Sequence, residues 1–219
     1  MRSVLILGLS GFSQLMKTYI ERFTEDKIVG FVCHREYIDK NELNGIPVYP
    51  VDMIKALYSQ DEVFILPAIG YTKMGQLRAK LVDEMQRKGY QFYSFIHPTV
   101  SWYGDSMGVG NIILENVTFC LHAKLGNHNV IFNNCAFAHD TYIGDFNHFG
   151  ACVAISGNTH VGNHCFLGTN STLKNEINIA DYTFIGASAY VSKTTHPYSV
   201  IVPARSSTLY DVNSLDVKI

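Results

Sequence analysis

The residues best suited to acid–base chemistry lie together between positions 138 and 148, in the segment AHDTYIGDFNH. His139 is followed directly by Asp140, and Asp145 and His148 complete the group. A histidine titrates near neutral pH, and a carboxylate beside it can orient its ring. The group therefore suits removal of a proton from an attacking amine or hydroxyl. The sequence does not choose between Asp140 and Asp145 as the orienting carboxylate.

A six-residue repeat marks the elements that must position these side chains. An aliphatic or aromatic residue recurs at every sixth position, fourteen times without a gap, from Ile113 to Val191. This period belongs to neither a helix nor an ordinary strand. It is typical of a parallel β-helix in which three hexads form one triangular coil. Residues 18 apart then stack, and His139 and Asp140 fall at a corner just past the anchor Phe137.

Other positions of the hexad support this interpretation. The position two before each anchor mostly holds a small residue, as a crowded corner requires. Asn129 and Asn147 are 18 apart and predict a side-chain amide ladder along the stack. Glycine follows six anchors, where we expect it to give the backbone freedom to turn a corner: Gly126, Gly144, Gly150, Gly162, Gly168 and Gly186.

The first 97 residues have a different pattern, in which apolar strands alternate with amphipathic helices. Such alternation predicts a parallel, doubly wound sheet. We expect strands at Val4–Gly8, Lys27–Cys33, Glu62–Ala68 and Gln91–Ile96, and helices at Phe12–Phe23, Val51–Ser59 and Lys73–Lys88. The predicted fold class is therefore α/β plus all-β: a small Rossmann-like domain at 1–97, a parallel β-helix at 98–205 and a C-terminal tail at 206–219.

In a doubly wound sheet, ligands bind beyond the carboxyl ends of the strands. A turn before a helix N-terminus, as at 8–11, favours a phosphate. The turn lacks the GxGxxG spacing, and the second strand ends in Cys-His-Arg instead of the acid that binds an NAD ribose. A small sugar-nucleotide pocket is more economical than a dehydrogenase or ATPase site. The candidate substrate contacts are Gly8, Ser10, Gly11, Phe12, Cys33, His34 and Gly70.

Composition excludes several other classes of function. The net charge is −2 and no Lys/Arg cluster is present, which argues against binding to nucleic acid or to an anionic membrane surface. No apolar stretch approaches the roughly 18 residues of a membrane span, so we expect no membrane insertion. The five cysteines form no CxxC pair, as is usual for free thiols in a reducing cytoplasm, where we expect the protein to act.

Over nearly its whole length the chain resembles the NeuD/PglD-like sugar acyltransferases of bacteria. The resemblance includes the Gly-x-Ser-Gly turn at 8–11, the AIG segment at 68–70 and the FIHP segment at 95–98. Its most specific part is the HDxxIGDFxH motif at 139–148. The resemblance implies a left-handed β-helix and a homotrimer in which CoA lies between adjacent β-helices.

The activity implied by this resemblance is acetyl-CoA-dependent N-acetylation of a nucleotide-linked amino sugar in bacterial surface-glycan synthesis, with no metal. By the same resemblance, His139 is the general base and Asp140 raises its basicity. His148 would contact the thioester carbonyl or the CoA arm. The residues that match positions holding the pantetheine are Thr169, Gly186 and Ala187.

The chain departs from the family at three places. Phe12 stands where the family often has histidine, Ile201 replaces the usual glycine, and Cys33-His34-Arg35 replaces acidic residues that read a nucleotide base. Three alternatives remain open. The acceptor could be a sugar hydroxyl, the protein could be a non-catalytic scaffold or sugar-nucleotide sensor, or it could be a carbonic-anhydrase-like β-helix with a metal at subunit interfaces.

Overall fold

A computed structural model describes residues 1–206, which form an α/β domain followed by a stack of parallel coils. The predicted tail at 206–219 falls, apart from Ser206, outside the described residues. A short 3-10 turn at Arg35–Tyr37 follows the second strand. The elements of the α/β domain are β1 Ser3–Leu7, α1 Gly11–Phe23, β2 Lys27–Cys33, β3 Glu42–Leu43, β4 Ile46–Pro50, α2 Ile54–Leu57, β5 Val63–Leu66, α3 Gln76–Arg87 and β6 Gln91–Phe92.

The sheet of this domain has the strand order β3-β4-β2-β1-β5-β6. All neighbours are parallel except β3 and β4. Side chains alternate across a strand, so Val4 and Ile6 of β1 pack in one core with Met16 of α1. Leu5 and Leu7 pack on the other face with Met85 of α3. Helices thus cover both faces, and the predicted Rossmann-like arrangement is confirmed.

Local departures from the predicted elements have identifiable causes. The hairpin of β3 and β4 was not predicted, although Asn44-Gly45 is a strong hairpin signal and both residues have positive φ. The third helix begins at Gln76 rather than Lys73, because Lys73, Met74 and Gly75 all have left-handed backbone. The strand predicted at Gln91–Ile96 is divided: Gln91–Phe92 completes the first sheet, and Phe95–Ile96 begins the coils.

The coils have three faces, each a parallel sheet of two-residue strands. One face packs on the α/β domain and is called the docked face: β7 Phe95–Ile96, β10 Ile112–Ile113, β13 Val130–Ile131, β16 His148–Phe149, β19 Phe166–Leu167, β22 Phe184–Ile185 and β24 Val200–Ile201. The second face contains β8 Ser101–Trp102, β11 Thr118–Phe119, β14 Ala136–Phe137, β17 Ala154–Ile155, β20 Thr172–Leu173 and β23 Tyr190–Val191. The third contains β9 Ser106–Met107, β12 Lys124–Leu125, β15 Tyr142–Ile143, β18 His160–Val161 and β21 Asn178–Ile179.

The predicted repeat is confirmed residue by residue. All fourteen anchors from Ile113 to Val191 are buried and form one continuous apolar core. Strands 18 residues apart pair in register, as Phe119 with Phe137 and Phe137 with Ile155. Stacking neighbours therefore bury a core that no single hexad could bury alone.

The expected role of the glycines after the anchors was wrong. None of these six has positive φ; the left-handed backbone falls on non-glycine corner residues such as Asp140 and Phe146, with φ of 57° and 59°. The glycines allow close approach between coils instead. A Cβ atom on Gly126 would lie 2.7 Å from the carbonyl oxygen of Gly144, and one on Gly150 would lie 2.6 Å from the amide nitrogen of Thr169.

The α/β domain is oriented by the contacts of α1 with the docked face. Phe23, at the end of the helix, packs on His97, and the Tyr19 hydroxyl donates to Glu115. Phe12, at the beginning of the helix, stacks on Phe132. The helix therefore runs against the direction of stacking. Because α1 is antiparallel to the strands of its own domain, their carboxyl ends point up the stack toward later coils.

Candidate active site

The predicted pair of His139 and Asp140 lies at the corner between β14 and β15. The two side chains are in contact, with 2.8 Å between Nδ1 of His139 and Oδ2 of Asp140. They are 60% and 47% exposed, so both are open to a ligand. The backbone N–H of Asp140 donates to the Leu121 carbonyl of the preceding coil. This corner, here called the His139 corner, holds the imidazole with Nδ1 engaged and Nε2 free.

Gly157 supports the ring from the next coil and was not among the predicted site residues. A Cβ atom at this position would lie 2.6 Å from both Cε1 and Nε2 of His139. Glycine is therefore needed at position 157, because any side chain there would clash with the imidazole of His139. The period of 18 would have identified it, since 157 stacks directly on 139.

Asp145 takes part in a different structure, at the corner between the third face and the docked face. Its Oδ1 accepts the backbone N–H of Asn127 at 2.7 Å, and its own N–H donates to the Asn163 side chain at 2.8 Å. Among the two carboxylates left open by the sequence, the structure places Asp140 against His139. Asp145 instead connects three successive coils.

His148 begins β16 on the docked face, under the α/β domain. Its ring is 8% exposed, stacks on Phe166 at a centroid distance of 5.4 Å and contacts Tyr71 and Phe132. Burial, aided by the charge of Arg78, lowers the pKa of His148 to about 3, so the ring is neutral. Nδ1 is buried without a hydrogen-bond partner in the described part of the chain.

His139 and His148 do not meet within one chain. The strand β15 separates the two positions. His139 lies at the corner before β15, whereas His148 lies after β15 on the docked face, against the α/β domain. No hydrogen bond or ring contact joins them in residues 1–206. A site that uses both residues needs a second copy of the chain.

The residues predicted to contact the pantetheine lie at the corner between the docked face and the second face. Thr169 and Ala187 are exposed, and Gly186 is half-buried. Thr169 and Ala187 are 18 apart and occupy the same place on successive coils, and the carbonyl of Thr169 accepts the N–H of Ser188. This corner, called the Thr169 corner, carries only small side chains, so a ligand could lie close to the backbone there.

The predicted acceptor loops meet at the carboxyl ends of β1 and β5. Ser10 caps α1, accepting the N–H of Ser13 at 3.3 Å, and Ser13 Oγ donates to the carbonyl of Ala68 at 3.0 Å. Gly8 has a φ of 116° and would carry a Cβ atom 3.2 Å from that same carbonyl, so glycine is needed there. At Gly11 and Gly70 a Cβ atom would meet nothing within 4 Å, so these two positions border open space.

The remaining predicted acceptor residues have mixed surroundings. Phe12 is half-buried, with its ring 5.9 Å from that of Phe132. The Cys33 thiol lies in the core, where burial raises its pKa to about 11. His34 Nε2 lies 2.8 Å from a carboxylate oxygen of Glu84 in α3. The Cys33 side chain is therefore part of the core, whereas Phe12 and His34 are half-buried.

Among the described residues, neither the buried thiols nor any metal-ligand cluster offers a second reactive centre. Cys135 and Cys165 are buried in the coil, and burial raises the pKa of each thiol to about 12, which makes them poor nucleophiles. No cluster of three or more potential metal ligands is found in residues 1–206. No helix in this part of the chain is long and apolar enough to cross a membrane.

Solved structures resemble this chain over more than nine tenths of its length. The acetyltransferase domain of PglB from Neisseria gonorrhoeae, in complex with acetyl coenzyme A, is 18% identical and superposes with a TM-score of 0.79, covering 93% of this chain and 98% of that one. A mutant of perosamine N-acetyltransferase from Caulobacter crescentus, in complex with CoA and GDP-perosamine, is 21% identical. It superposes with a TM-score of 0.79, covering 91% of this chain and 93% of that one. WeeI from Acinetobacter baumannii is 20% identical and has a TM-score of 0.74, covering 93% of this chain and 94% of that one.

Sequence comparison adds nothing to these likenesses, since no family model and no curated protein sequence matches the chain. At these identities the likeness establishes the fold. It confirms the predicted fold class: over nearly its whole length, the chain shares the fold of these bacterial acetyltransferases, an α/β domain joined to a left-handed parallel β-helix.

Proposed function

We propose that this protein transfers the acetyl group of acetyl-CoA to the amino group of a nucleotide-linked amino sugar. The observation that carries the proposal is the His139 corner. An exposed imidazole there has Nδ1 bound to the carboxylate of Asp140, at 2.8 Å, and leaves Nε2 free. This is the arrangement of a general base that is oriented by a carboxylate.

In the proposed reaction, the Nδ1–H of His139 donates to Asp140, so the lone pair is on Nε2. Nε2 accepts a proton as the sugar nitrogen attacks the thioester carbonyl. The tetrahedral intermediate collapses by breaking its C–S bond, and the proton passes to the leaving sulfur of CoA. The step yields an amide and free CoA and regenerates neutral His139. The reaction as written requires no acyl-enzyme.

His148 fits the role of a donor to the thioester oxygen. Its ring is neutral, and its Nδ1 is buried and unpaired. A buried N–H without an acceptor is rare in proteins, so we place the single proton on Nε2. That N–H, with backbone N–H groups of the coil, would stabilise the oxyanion.

The proposed site spans two subunits of a trimer. His139 and His148 lie on opposite sides of β15, so the His139 of one subunit would act beside the His148 of the next. The Thr169 corner would hold the pantetheine between adjacent β-helices through Thr169, Gly186 and Ala187. The small size of all three residues and the exposure of Thr169 and Ala187 support this assignment.

The α/β domain would bind the nucleotide part of the acceptor. Gly8, Ser10 and Gly11 form the turn before α1, where backbone N–H groups favour a phosphate, and Gly70 borders the same open space. Phe12 and His34 add an aromatic and a polar side chain. The structurally similar perosamine N-acetyltransferase contains GDP-perosamine, which supports an acceptor of this class.

The decisive test is turnover by His139→Ala with acetyl-CoA and a panel of nucleotide amino sugars. Loss of a general base should lower kcat by about 100- to 10,000-fold without changing the oligomeric state. Near-normal turnover would refute the proposal. Because the same base would serve a hydroxyl, amino and hydroxyl acceptors should be compared side by side, and preference for a hydroxyl would make the enzyme an O-acetyltransferase.

A further inference from the structure

Arg78 is the largest fully buried side chain of the described chain and lies where the two domains meet. It belongs to α3, and its exposure is 0%. Nη1 donates to the carbonyls of Ile69 and Gly70, at 2.8 and 3.1 Å. Nη2 donates to the carbonyls of Phe146 and Asn147, at 2.8 and 3.1 Å. One guanidinium therefore holds the loop after β5 against the segment before β16.

Such a buried arginine is costly and needs a reason. Arginine is almost never fully buried unless it is paired, and no described carboxylate forms an ion pair with Arg78. Burial lowers its pKa to about 10, so it remains charged at neutral pH. Methionine or leucine would fill the space without the desolvation penalty of a charge. What those residues lack is the rigid fork that binds four carbonyl oxygens at once.

The two segments that Arg78 joins are the two sides of the proposed site. Gly70 borders the space at the carboxyl ends of β1 and β5, where the acceptor would bind. Phe146 and Asn147 directly precede His148, whose ring contacts that of Tyr71, the residue after Gly70. We propose that Arg78 is a positioning residue that fixes the acceptor loop at a set distance from His148. This inference rests on the proposed function.

Neighbouring contacts show that this junction is built for close approach. Gly75 precedes α3 with a φ of 74°, and a Cβ atom there would lie 2.8 Å from the carbonyl oxygen of Phe146. His164 Nδ1 lies 3.1 Å from the carbonyl oxygen of Met74. Lys73 and Met74 have left-handed backbone, which costs energy for residues other than glycine. The loop from Gly70 to Gly75 thus contacts the coil at Tyr71 and again at Met74 and Gly75, and Arg78 joins its beginning to Phe146.

The test compares Arg78→Met and Arg78→Lys with the wild-type protein. Arg87→Met is the matched control, because Arg87 is on the same helix but exposed and paired with Asp83. The measurements are kcat and KM for the nucleotide amino sugar, the Kd of acetyl-CoA, and hydrogen exchange of segments 67–75 and 146–149. Misplacement by about 1 Å can cost 100-fold in rate, so we expect kcat/KM for the sugar to fall about 100-fold in Arg78→Met.

A structural role alone would not give the expected pattern. The oligomer and the Kd of acetyl-CoA should be retained, while both segments exchange faster. Lysine keeps the charge but cannot span both pairs of carbonyls, so Arg78→Lys should not restore kcat/KM. Wild-type kcat/KM in either variant would overturn the inference. If Arg78→Met fails to fold, Arg78→Lys decides alone.

The exchange measurement separates this inference from the proposed function. If the wild-type protein acetylates no amino sugar, the proposed function fails. Faster hydrogen exchange of both segments in the variants would still show that Arg78 holds the loop after β5 against the segment before β16. Unchanged exchange in either segment would refute it whatever the activity.

Discussion

At the scale of single residues, the proposed base is defined by two neighbours that do different work. Asp140 binds Nδ1 of His139 and so selects the nitrogen that stays free. Gly157 leaves the volume in which the ring lies. Neither residue needs to touch a substrate, yet the position of Nε2 depends on both. The first can be read from adjacency in the sequence, and the second only from the stacking of coils.

Gly157→Ala should lower kcat without unfolding the coil. The new methyl group would lie 2.6 Å from Cε1 and Nε2 of His139 and displace the imidazole from the reacting atoms. A displacement of about 1 Å predicts a loss on the order of 100-fold in kcat. Asn175→Ala is the control, because Asn175 is exposed at the same corner one coil further on. Equal turnover in the two variants would show that the ring is not held as we describe.

Substitution of the two carboxylates should distinguish their roles. Asp140→Asn keeps a side chain that tolerates the left-handed backbone at this position, but it removes the carboxylate that binds Nδ1 of His139. We expect kcat to fall by about 10- to 100-fold, a part of the contribution of general base catalysis. Asp145→Asn should leave kcat near the wild-type value, because Asp145 contacts Asn127 and Asn163 instead. Steady-state kinetics of both variants decide, and the reverse order would assign the orienting role to Asp145.

At the scale of elements, the coils are joined inside by an asparagine ladder that was predicted in position but not in form. The side-chain oxygens of Asn111, Asn129 and Asn147 each accept a backbone N–H from the next coil, at 2.7 to 2.9 Å. Their amide nitrogens donate to carbonyls of Gly126, Gly144 and Gly162. The bonds therefore run from side chain to backbone, not from side chain to side chain.

Asn129→Ala should destabilise the protein without altering its surface. The substitution leaves the N–H of Asn147 and the carbonyl of Gly144 buried and unpaired. Each unsatisfied group costs about 1–3 kcal/mol, so the free energy of unfolding should fall by roughly 2–6 kcal/mol. Asn178→Ala, on the exposed side of β21, serves as the control. Chemical denaturation measures both, and similar values would contradict the ladder's contribution.

The sequence predicts elements well where a period repeats and poorly where the structure depends on a single contact. The hexad anchors predict every coil from Ile113 onward, because one physical requirement recurs at each. The role of the glycines was misjudged because close approach between coils and backbone freedom both select glycine, so the sequence pattern is the same for either cause. The hairpin after β2 was missed although Asn44-Gly45 signals it. Arg78 gives no signal at all, since an arginine in an amphipathic helix is ordinarily exposed.

At the scale of the whole molecule, the α/β domain covers two imidazoles of the coil. His148 lies under Tyr71, and His128 packs against Phe92 of β6. Burial lowers the pKa of His148 to about 3 and that of His128 to about 4, with the charge of Arg78 adding to the effect. Protonation of either ring therefore opposes docking of the α/β domain on the coil.

Stability should fall as the pH is lowered from neutrality. An unfolded histidine binds a proton near pH 6.5, whereas these two do so only near pH 3 and 4 in the folded state. Their contribution is present above about pH 6.5 and lost below it, by about 1.4 kcal/mol per pH unit for each ring. Denaturant unfolding between about pH 7 and 5 measures the slope. His148→Phe, which keeps the ring stack without the titrating group, should have a shallower slope; an unchanged slope would contradict the assignment.

Mixed trimers test whether the proposed site spans two subunits. His139→Ala and His148→Ala should each be inactive alone, because every interface lacks one of the two imidazoles. In a cyclic trimer that contains both variants, one interface combines an intact His139 with an intact His148. Each mixed trimer has one complete site of three, so trimers that contain both variants should show about one third of the wild-type activity. Co-expression with two affinity tags, followed by tandem purification and assay, gives the measurement. If both histidines acted from the same subunit, no mixture would regain activity.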